Sequence, residues 1–236
     1  MTGMTRLGLL GGTFDPVHLG HLDVAEAARD ALALDRVLLV PARVPPHRSL
    51  QPRTSGYHRF AMVALAAAGH RGLEACDLEL RAEGRSYTSL TLERLHARGL
   101  HPLQLFFITG ADAFAEIATW HRYPELLDMS HFIVVSRPGH SHDAICDRLP
   151  DLRDRFVAIG RECTGRVATR AGDPSRTAVF LVEADTSDVS STEVRRRLEA
   201  GEPLDGLLPA TVIRHIHQHR LYRPGQPPAD QLHDEE

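Results

Sequence analysis

Residues 6–21 read Arg-Leu-Gly-Leu-Leu-Gly-Gly-Thr-Phe-Asp-Pro-Val-His-Leu-Gly-His, an apolar run that ends in two glycines and is followed by a helix start. The run Arg6–Gly12 predicts a buried strand and a tight turn. Gly11 and Gly12 carry no side chain, so a ligand could approach the backbone there. A helix follows at once, as in a βαβ unit.

The same alternation of strand and helix continues along the chain. Strands or extended segments are predicted at Arg6–Gly12, Arg36–Val40, Leu73–Leu80, Leu103–Thr109, His131–Ser136 and Ala178–Glu183. Helices are predicted at Leu19–Leu34, Tyr57–Ala68, Ser86–Arg98, Ala111–Thr119, Ser191–Ala200 and Pro209–His219. This order predicts an α/β fold of the Rossmann-like, doubly wound kind, a mostly parallel sheet with helices on both faces. Residues 140–177 show no firm element beyond one candidate helix.

Length and composition are those of an ordinary globular chain. The 236 residues are 42% hydrophobic and 25% charged. We expect residues 1–223 to form a single domain. Residues 224–236 are polar and contain proline, which predicts a disordered tail.

The charge pattern excludes several classes of protein. The chain contains no lysine, so all 27 basic residues are arginine. This excludes a Walker A phosphate loop, a kinase of the usual type and a Schiff-base lysine. The net charge of −4 argues against a nucleic-acid partner. No apolar run reaches the roughly 18 residues of a membrane span, and three widely spaced cysteines are typical of a reducing, cytoplasmic setting.

His18 and His21 are the strongest candidates for chemistry. They are three residues apart at the start of a helix, so they share one face. Imidazoles at a helix N-terminus can donate hydrogen bonds to phosphate oxygens, and the free N–H groups there also favour an anion. A metal pair and a purely structural role remain open alternatives, although zinc would need further ligands.

A second candidate segment lies far downstream, at residues 189–195. Ser190 and Glu193 have the spacing of a capping box, and Arg195 adds a fixed positive charge. Hydroxyls and N–H groups at a helix start can bind phosphate. The alternative is an ordinary capped helix on the surface.

Together the two segments resemble the signatures of the nucleotidyltransferase superfamily. Residues 11–21 match the form Gly-Gly-Thr-Phe-Asp-Pro-x-His-x-Gly-His, which is similar to adenylyltransferases of cofactor synthesis. Residues 189–195 resemble Ile-Ser-Ser-Thr-x-Ile-Arg, with Val189 and Val194 in place of the isoleucines. Two signatures about 170 residues apart are far more specific than one.

Further stretches resemble bacterial nicotinate mononucleotide adenylyltransferases in the same order along the chain. They are Val44-Pro-Pro-His-Arg48, Ser86-Tyr87-Thr88, Gly110-Ala-Asp112 with Trp120, Ser136-Arg-Pro-Gly139 and Leu208–Tyr222. The resemblance implies transfer of an adenylyl group from ATP to nicotinate mononucleotide in NAD biosynthesis, with Mg²⁺ carried on the ATP phosphates and no metal site in the protein. It leaves the oligomeric state open, including a homo-oligomer.

The resemblance also implies a set of site residues. Those expected to act in catalysis are His18, His21 and Arg195. Those expected to bind ATP are Gly11, Gly12, Thr13, Phe14, His18, His21, Gly110, Asp112, Ser190, Ser191, Thr192 and Arg195. Those expected to bind nicotinate mononucleotide are Arg48, Tyr87, Thr88, Asp112, Trp120 and Arg137.

Two alternatives remain at this point. One is a phosphopantetheine or nicotinamide mononucleotide acceptor in place of nicotinate mononucleotide. Another is a nucleotide-binding module without catalysis. A dehydrogenase is unlike this chain, because no G-x-G-x-x-G follows the first strand. The C-terminal histidines could suggest a metal, but of His215, His217 and His219 only the first and last share a helix face.

Overall fold

The computed structural model describes residues 5–45, 52–136, 142–159 and 175–223. The predicted ligand contacts Arg48 and Arg137 lie outside the described residues, as does the tail 224–236. The strands are β1 (Leu7–Gly12), β2 (Arg36–Pro41), β3 (Leu73–Ala75), β4 (Leu105–Gly110), β5 (His131–Ser136), β6 (Phe156–Ile159) and β7 (Val179–Glu183). The helices are α1 (Leu19–Ala31), α2 (Gly56–Ala67), α3 (Thr88–His96), α4 (Ala111–Phe114), α5 (His142–Arg148), α6 (Ser191–Ala200) and α7 (Ala210–Gln218).

The seven strands form one sheet in the order β3-β2-β1-β4-β5-β7-β6. β1 pairs with β4, β4 with β5, β5 with β7 and β7 with β6, all in parallel. The order reverses between β1 and β4, and ligands of such sheets bind beyond the carboxyl ends of the strands at that point. The predicted Rossmann-like fold, with a mostly parallel sheet, is confirmed.

Contacts divide the chain into two compact units. Of the described residues, those at 5–11, 24–38, 87–136, 142–159 and 175–186 form unit 1, and those at 12–23, 39–45, 52–86 and 187–223 form unit 2. The single domain expected for residues 1–223 stays a prediction.

Unit 1 is built around the central strands. β4 and β5 are rich in aromatic and β-branched residues, and every side chain from Leu105 to Thr109 is buried. Phe107 and Phe114 both pack against Phe132, with ring centroids 5.7 and 5.8 Å apart. This core holds the carboxyl ends of β4 and β5 in place.

Unit 2 holds the loop after β1, the helix α2 and the C-terminal helices. α2 and α7 pack against each other through buried apolar side chains that include Met62, Val63, Val212 and Ile216. α6 begins at a capping Ser190 and ends at Gly201, whose φ of 68° suits a residue without a side chain.

Several predicted boundaries differ from the structure. Residues 102–104 form a 3-10 turn capped by His101, so β4 begins later than predicted. The predicted helix 111–119 is α4 followed by a 3-10 turn at 117–119. Of the predicted extended segment 73–80, only the first three residues are a strand. β6 was not predicted, because its four residues lie in a polar stretch. No helix in the described ranges is long and apolar enough to span a membrane.

Candidate active site

The loop at residues 13–18, here called the histidine loop, connects β1 to α1 and is mostly buried. Phe14, Asp15, Pro16, Val17 and His18 are all buried, although loops usually lie on the surface. The predicted turn is not made by the glycines, because both belong to β1. The chain turns instead at Asp15 and Pro16, directly after Phe14, whose φ is 49°. Packing therefore fixes the path that leads to His18.

His18 and His21 form a stacked pair. Their ring centroids are 3.6 Å apart and the ring planes are inclined by 28°. His18 lies just before α1, and its N–H donates to Nδ1 of His21 at 3.2 Å. Because Nδ1 of His21 accepts this bond, the proton of its neutral ring is on Nε2. The two imidazoles therefore lie together, as their spacing predicted.

Burial sets the charge of His18. Loss of solvation lowers the pKa of His18 to about 4, although the nearby Asp23 acts in the opposite direction. Its Nδ1 is buried and has no hydrogen-bond partner among the described residues. A buried N–H without an acceptor is rare, so we assign the ring proton to Nε2. At pH 7 His18 is therefore a neutral hydrogen-bond donor and not a fixed cation.

The start of α1 differs from the expected row of free N–H groups. The N–H of Leu19 donates to the carbonyl of Leu207 at 2.9 Å, and that of His18 is used by the His21 ring. These two groups are not available to an anion. The imidazole side chains, more than the helix end, are the donors that this arrangement presents.

Gly20 lies where no side chain fits. A Cβ atom at this position would be 2.8 Å from the carbonyl oxygen of Ser187 and 3.3 Å from Nδ1 of His18. Asp23, on the same helix, accepts a hydrogen bond from the N–H of Ser187 at 2.8 Å. The segment before α6 is therefore packed directly on the start of α1, and only glycine allows that approach.

The second motif is bonded to the first. Ser190 caps α6, and its hydroxyl accepts from the N–H of Glu193 at 3.1 Å. The hydroxyl of Ser191 donates to the carbonyl of Pro16 at 2.9 Å, and Nη1 of Arg195 donates to the carbonyl of Asp15 at 2.7 Å. The predicted motif residues thus come together in unit 2, and two of them hold the histidine loop.

Three consecutive arginines on α6 differ in their partners. Arg196 forms ion pairs with Glu193 and Glu202, and Arg197 pairs with Glu193 at 2.8 Å. Hydrogen bonds from Arg196 and Arg197 lower the pKa of Glu193 to about 2. The oxygens that accept from Arg195 are the Asp15 carbonyl and the Thr192 hydroxyl, which carry no formal charge. Arg195 is therefore the arginine of this group best suited to an anionic ligand.

A buried polar cluster, which was not expected from the sequence, is hydrogen-bonded to the histidine loop. Tyr222 donates its O–H to Oδ1 of Asp15 at 2.8 Å, and the N–H of Arg53 donates to Oδ2 at 2.8 Å. Arg59, only 2% exposed, donates to the carbonyls of Thr13, Ala42 and Thr54. The available signal was a single arginine within the apolar sequence of α2.

Four of the residues predicted to bind the acceptor, Tyr87, Thr88, Asp112 and Trp120, lie in unit 1. Tyr87 precedes α3, whose first residue is Thr88, and its ring stacks on His121 with centroids 4.5 Å apart. His121, which the sequence analysis missed, also hydrogen-bonds the hydroxyl of buried Ser89 at 2.7 Å. Trp120 packs edge-on against Phe107 at 5.8 Å. Tyr87 with His121 and Trp120 with Phe107 thus form two aromatic pairs, to which the neighbouring residues 120 and 121 each contribute one ring.

Gly110 is the last residue of β4, and Asp112 follows the strand in α4. Asp112 is exposed in the first turn of α4. A Cβ atom at Gly110 would meet nothing within 4 Å, so the end of β4 has open space beside it.

Three histidines meet between α2 and α7. Nδ1 of His58 is 3.2 Å from Nε2 of His215, and His219 lies beside both rings. Burial and the neighbouring His219 lower the pKa values of His58 and His215. Within the described ranges no group of three or more His, Cys, Asp or Glu side chains has the arrangement of a metal site.

Comparison with known proteins gives consistent relatives. The sequence profile of the cytidylyltransferase-like family matches residues 9–197. A protein of Citrifermentans bemidjiense named "Probable nicotinate-nucleotide adenylyltransferase" is 41% identical over 219 residues, which cover 92% of this chain and 98% of that protein. A protein of Roseiflexus sp. with the same name is 39% identical over 217 residues, with 92% and 98% covered.

A solved structure shares the fold. The nicotinic acid mononucleotide adenylyltransferase of Plasmodium falciparum, complexed with NaAD, superposes with a TM-score of 0.67 at 19% identity, covering 92% of this chain and 97% of that chain. At this identity the likeness concerns the fold alone. The family profile and the curated relatives cover most of the chain, and they confirm the resemblance stated above. The chain belongs to the cytidylyltransferase-like family and, within it, to the nicotinate-nucleotide adenylyltransferases.

Proposed function

We propose that this chain transfers the adenylyl group of ATP to nicotinate mononucleotide, as a step of NAD biosynthesis. A phosphate oxygen of nicotinate mononucleotide attacks the α-phosphorus of ATP and forms a new P–O bond. The bond between the α-phosphorus and the bridging oxygen breaks, and pyrophosphate leaves with that electron pair. The products are nicotinate adenine dinucleotide and pyrophosphate. The names of relatives that match nearly the whole chain support this choice of substrates.

The observation that carries the proposal is the stacked pair formed by His18, at the end of the buried histidine loop, and His21, in the first turn of α1. The attacking phosphate is already an anion at pH 7, so the reaction needs no strong general base. It needs the reactants to be oriented and the charge on the α-phosphoryl oxygens to be stabilised. Two Nε2–H groups in fixed positions can donate to those oxygens, and Arg195 adds positive charge.

The rest of the ATP site follows from the two motifs. We assign to ATP the two glycines at the end of β1, the loop residues that follow them, the start of α6, the end of β4 and the first turn of α4. These residues are Gly11, Gly12, Thr13, Phe14, Ser190, Ser191, Thr192, Gly110 and Asp112. Asp112 is suited to the hydroxyls of a ribose. Mg²⁺ enters with the substrate as MgATP, because a triphosphate needs more charge compensation than these side chains supply.

The acceptor site is assigned to the region of unit 1 that contains the aromatic residues Tyr87 and Trp120. Trp120 and Tyr87 offer ring faces to a cationic pyridinium, and Thr88 begins a helix whose first N–H groups suit a carboxylate. Arg48 and Arg137 stay predicted phosphate contacts. We also propose that the reaction takes place in the cytoplasm.

An assay of pyrophosphate release tests the proposal. The protein is incubated with ATP, Mg²⁺ and one acceptor at a time: nicotinate mononucleotide, nicotinamide mononucleotide or phosphopantetheine. We expect the highest kcat/KM with nicotinate mononucleotide, because donors arranged for a carboxylate are left poorly paired by an amide. A preference for either other acceptor would replace the proposed substrate. Binding of ATP without pyrophosphate release from any acceptor would favour a nucleotide-binding module instead.

A further inference from the structure

Asp15 is the polar centre of the histidine loop. Only 3% of it is exposed, and its two carboxylate oxygens accept from Tyr222 and Arg53, each at 2.8 Å. A buried carboxylate is stable only when its oxygens are bonded and its charge is compensated. The hydroxyl of Tyr222 therefore stabilises the buried carboxylate, because it donates one of the hydrogen bonds that this group requires.

Arg59 completes the same cluster from α2. Its guanidinium donates to the carbonyls of Thr13 and Ala42, at 2.8 and 2.7 Å, and lies close enough to Asp15 to interact electrostatically. Burial lowers the pKa of Arg59, and the charge of Asp15 opposes that effect. The histidine loop is thus held at Thr13 by Arg59 and at the Asp15 carboxylate by Tyr222 and Arg53.

The backbone next to this contact is unusual. Phe14, which precedes Asp15, has a φ of 49°, and Tyr222 itself has a φ of 62°. Bulky side chains rarely adopt this left-handed region, and they remain there only where the surroundings determine the conformation. Both residues are buried, Phe14 to 1% and Tyr222 to 2% exposure. The fold maintains an unfavourable backbone on each side of the Tyr222–Asp15 hydrogen bond.

We propose that Tyr222 is a positioning residue for adenylyl transfer, whose hydroxyl holds Asp15 and, through the buried Pro16 and Val17, fixes His18. The proposal rests on the function proposed above. Tyr222 touches no reacting group, so its effect passes through the loop. A shift of about 1 Å in a catalytic donor can reduce the rate strongly.

Removal of one hydroxyl tests this. Tyr222→Phe keeps the ring, and Tyr57→Phe is the matched control, because Tyr57 is 81% exposed. We expect Tyr222→Phe to lower kcat about 10-fold and to leave the KM for ATP within about twofold. Tyr57→Phe should match the wild type in both. An unchanged kcat in Tyr222→Phe would overturn the proposal.

A double variant distinguishes positioning from a general loss of structure. If Tyr222 acts through His18, adding Tyr222→Phe to His18→Ala should lower kcat by less than about twofold further, because residues that act as a unit are not additive. A further loss of the full 10-fold would show that Tyr222 does not act through His18. Asp15→Asn, which keeps the shape of the side chain, should lower kcat and should likewise add little to His18→Ala.

Hydrogen exchange gives a readout that does not need the enzyme reaction. Amide exchange in the peptide spanning residues 13–18 should become at least about 10-fold faster in Tyr222→Phe, and not in Tyr57→Phe. Unchanged exchange would refute the coupling even if activity fell. Faster exchange in a protein whose wild type transfers no adenylyl group would instead refute the proposed function and leave the coupling of Tyr222 to the loop intact.

Discussion

The hydroxyl of Ser191 donates a hydrogen bond to the carbonyl of Pro16 at 2.9 Å, across 175 positions of the chain. Arg195 makes a second bond of this kind, to Asp15. Residues of the second motif therefore fix the loop that carries the first motif. Substitutions in α6 should change the geometry at His18 as well as the binding of a ligand.

The first prediction concerns the histidine pair. His18→Ala and His21→Ala should each lower kcat by about 10²-fold or more, the scale of losing one donor to a transition-state oxygen. The KM for ATP should rise less, because the other phosphate contacts remain. Steady-state kinetics of pyrophosphate release measures both, with His217→Ala on the exposed side of α7 as the control. Near-normal kcat in either variant would exclude that histidine from catalysis.

The second prediction separates two adjacent arginines. Arg195→Ala should lower kcat/KM for ATP more than about 10-fold, since charge-assisted bonds to phosphate are strong and the Asp15 carbonyl also loses its donor. Arg196→Ala should stay within about twofold, because Arg196 is held in exposed ion pairs with Glu193 and Glu202. Equal losses in the two variants would contradict the distinction drawn from their partners.

Gly20→Ala provides the third prediction. The added Cβ meets the Ser187 carbonyl at 2.8 Å, so the start of α1 and residue 187 must move apart. We expect a lower melting temperature and a fall in kcat, because His18 lies beside the same contact. Gly69→Ala, where a Cβ meets nothing within 4 Å, is the control for helix and loop effects. A Gly20→Ala protein with wild-type kcat would show that the backbone accommodates the methyl group without disturbing His18.

The fourth prediction is a loss of stability in mild acid. The pKa values of His18 and His131 are lowered to about 4, by burial in both cases and for His131 also by Arg6. The unfolded chain takes up these protons as the pH falls through about 6.5, whereas the folded chain resists until about 4. The free energy of unfolding should therefore be constant above about pH 7 and fall below it. At pH 5 each histidine should account for about 2 kcal/mol.

Denaturant unfolding at pH 7 and pH 5 measures this dependence. His18→Gln and His131→Gln remove the titrating group, so each should reduce the difference between the two pH values by about 2 kcal/mol. At pH 5 carboxylates with ordinary pKa values of about 3.9 to 4.3 are still mostly ionised, so the histidines dominate the comparison. An unchanged difference in both variants would mean that other groups control the acid sensitivity.

The fifth prediction concerns the acceptor. Trp120→Ala should raise the KM for nicotinate and nicotinamide mononucleotides by similar factors, about 10-fold, and leave the KM for ATP nearly unchanged. Both acceptors contain the same cationic ring, so stacking supplies affinity and not discrimination. Trp120→Phe should recover part of the loss. A variant that lost the acid-over-amide preference while keeping affinity for the acid would show that Trp120 recognises the carboxylate.

Much of the fold follows from local pattern. The strands β4 and β5 are continuous apolar runs bounded by glycine or polar residues. Such short runs were sufficient to find both strands. β6 is an edge strand of four residues within a polar stretch. Its extended conformation is stabilised by pairing with β7, which the local sequence does not indicate. The 3-10 turn at 102–104 depends on its cap, His101, which periodicity does not report.

The candidate site was predictable where a short motif places polar side chains at the start of a helix. His18, His21 and Arg195 could be found in this way, because spacing and chemistry point to the same role. Arg59 and Tyr222 could not be found in this way, because the loop residues that they contact are 46 and 207 positions away in the sequence. Leu207, which accepts from the N–H of Leu19, and Ser187, which packs on Gly20, are also distant in sequence. The sequence therefore suggested that the N–H of Leu19 was free, whereas in the fold it is hydrogen-bonded.

Trp120 is the only tryptophan of the 236 residues, and its ring packs edge-on against Phe107 in unit 1. Intrinsic tryptophan fluorescence of this protein therefore comes from a single position, within the group of residues assigned to the acceptor. A titration with nicotinate mononucleotide should change the emission directly, without a label. The chain carries its own optical probe of acceptor binding, separate from any signal of turnover.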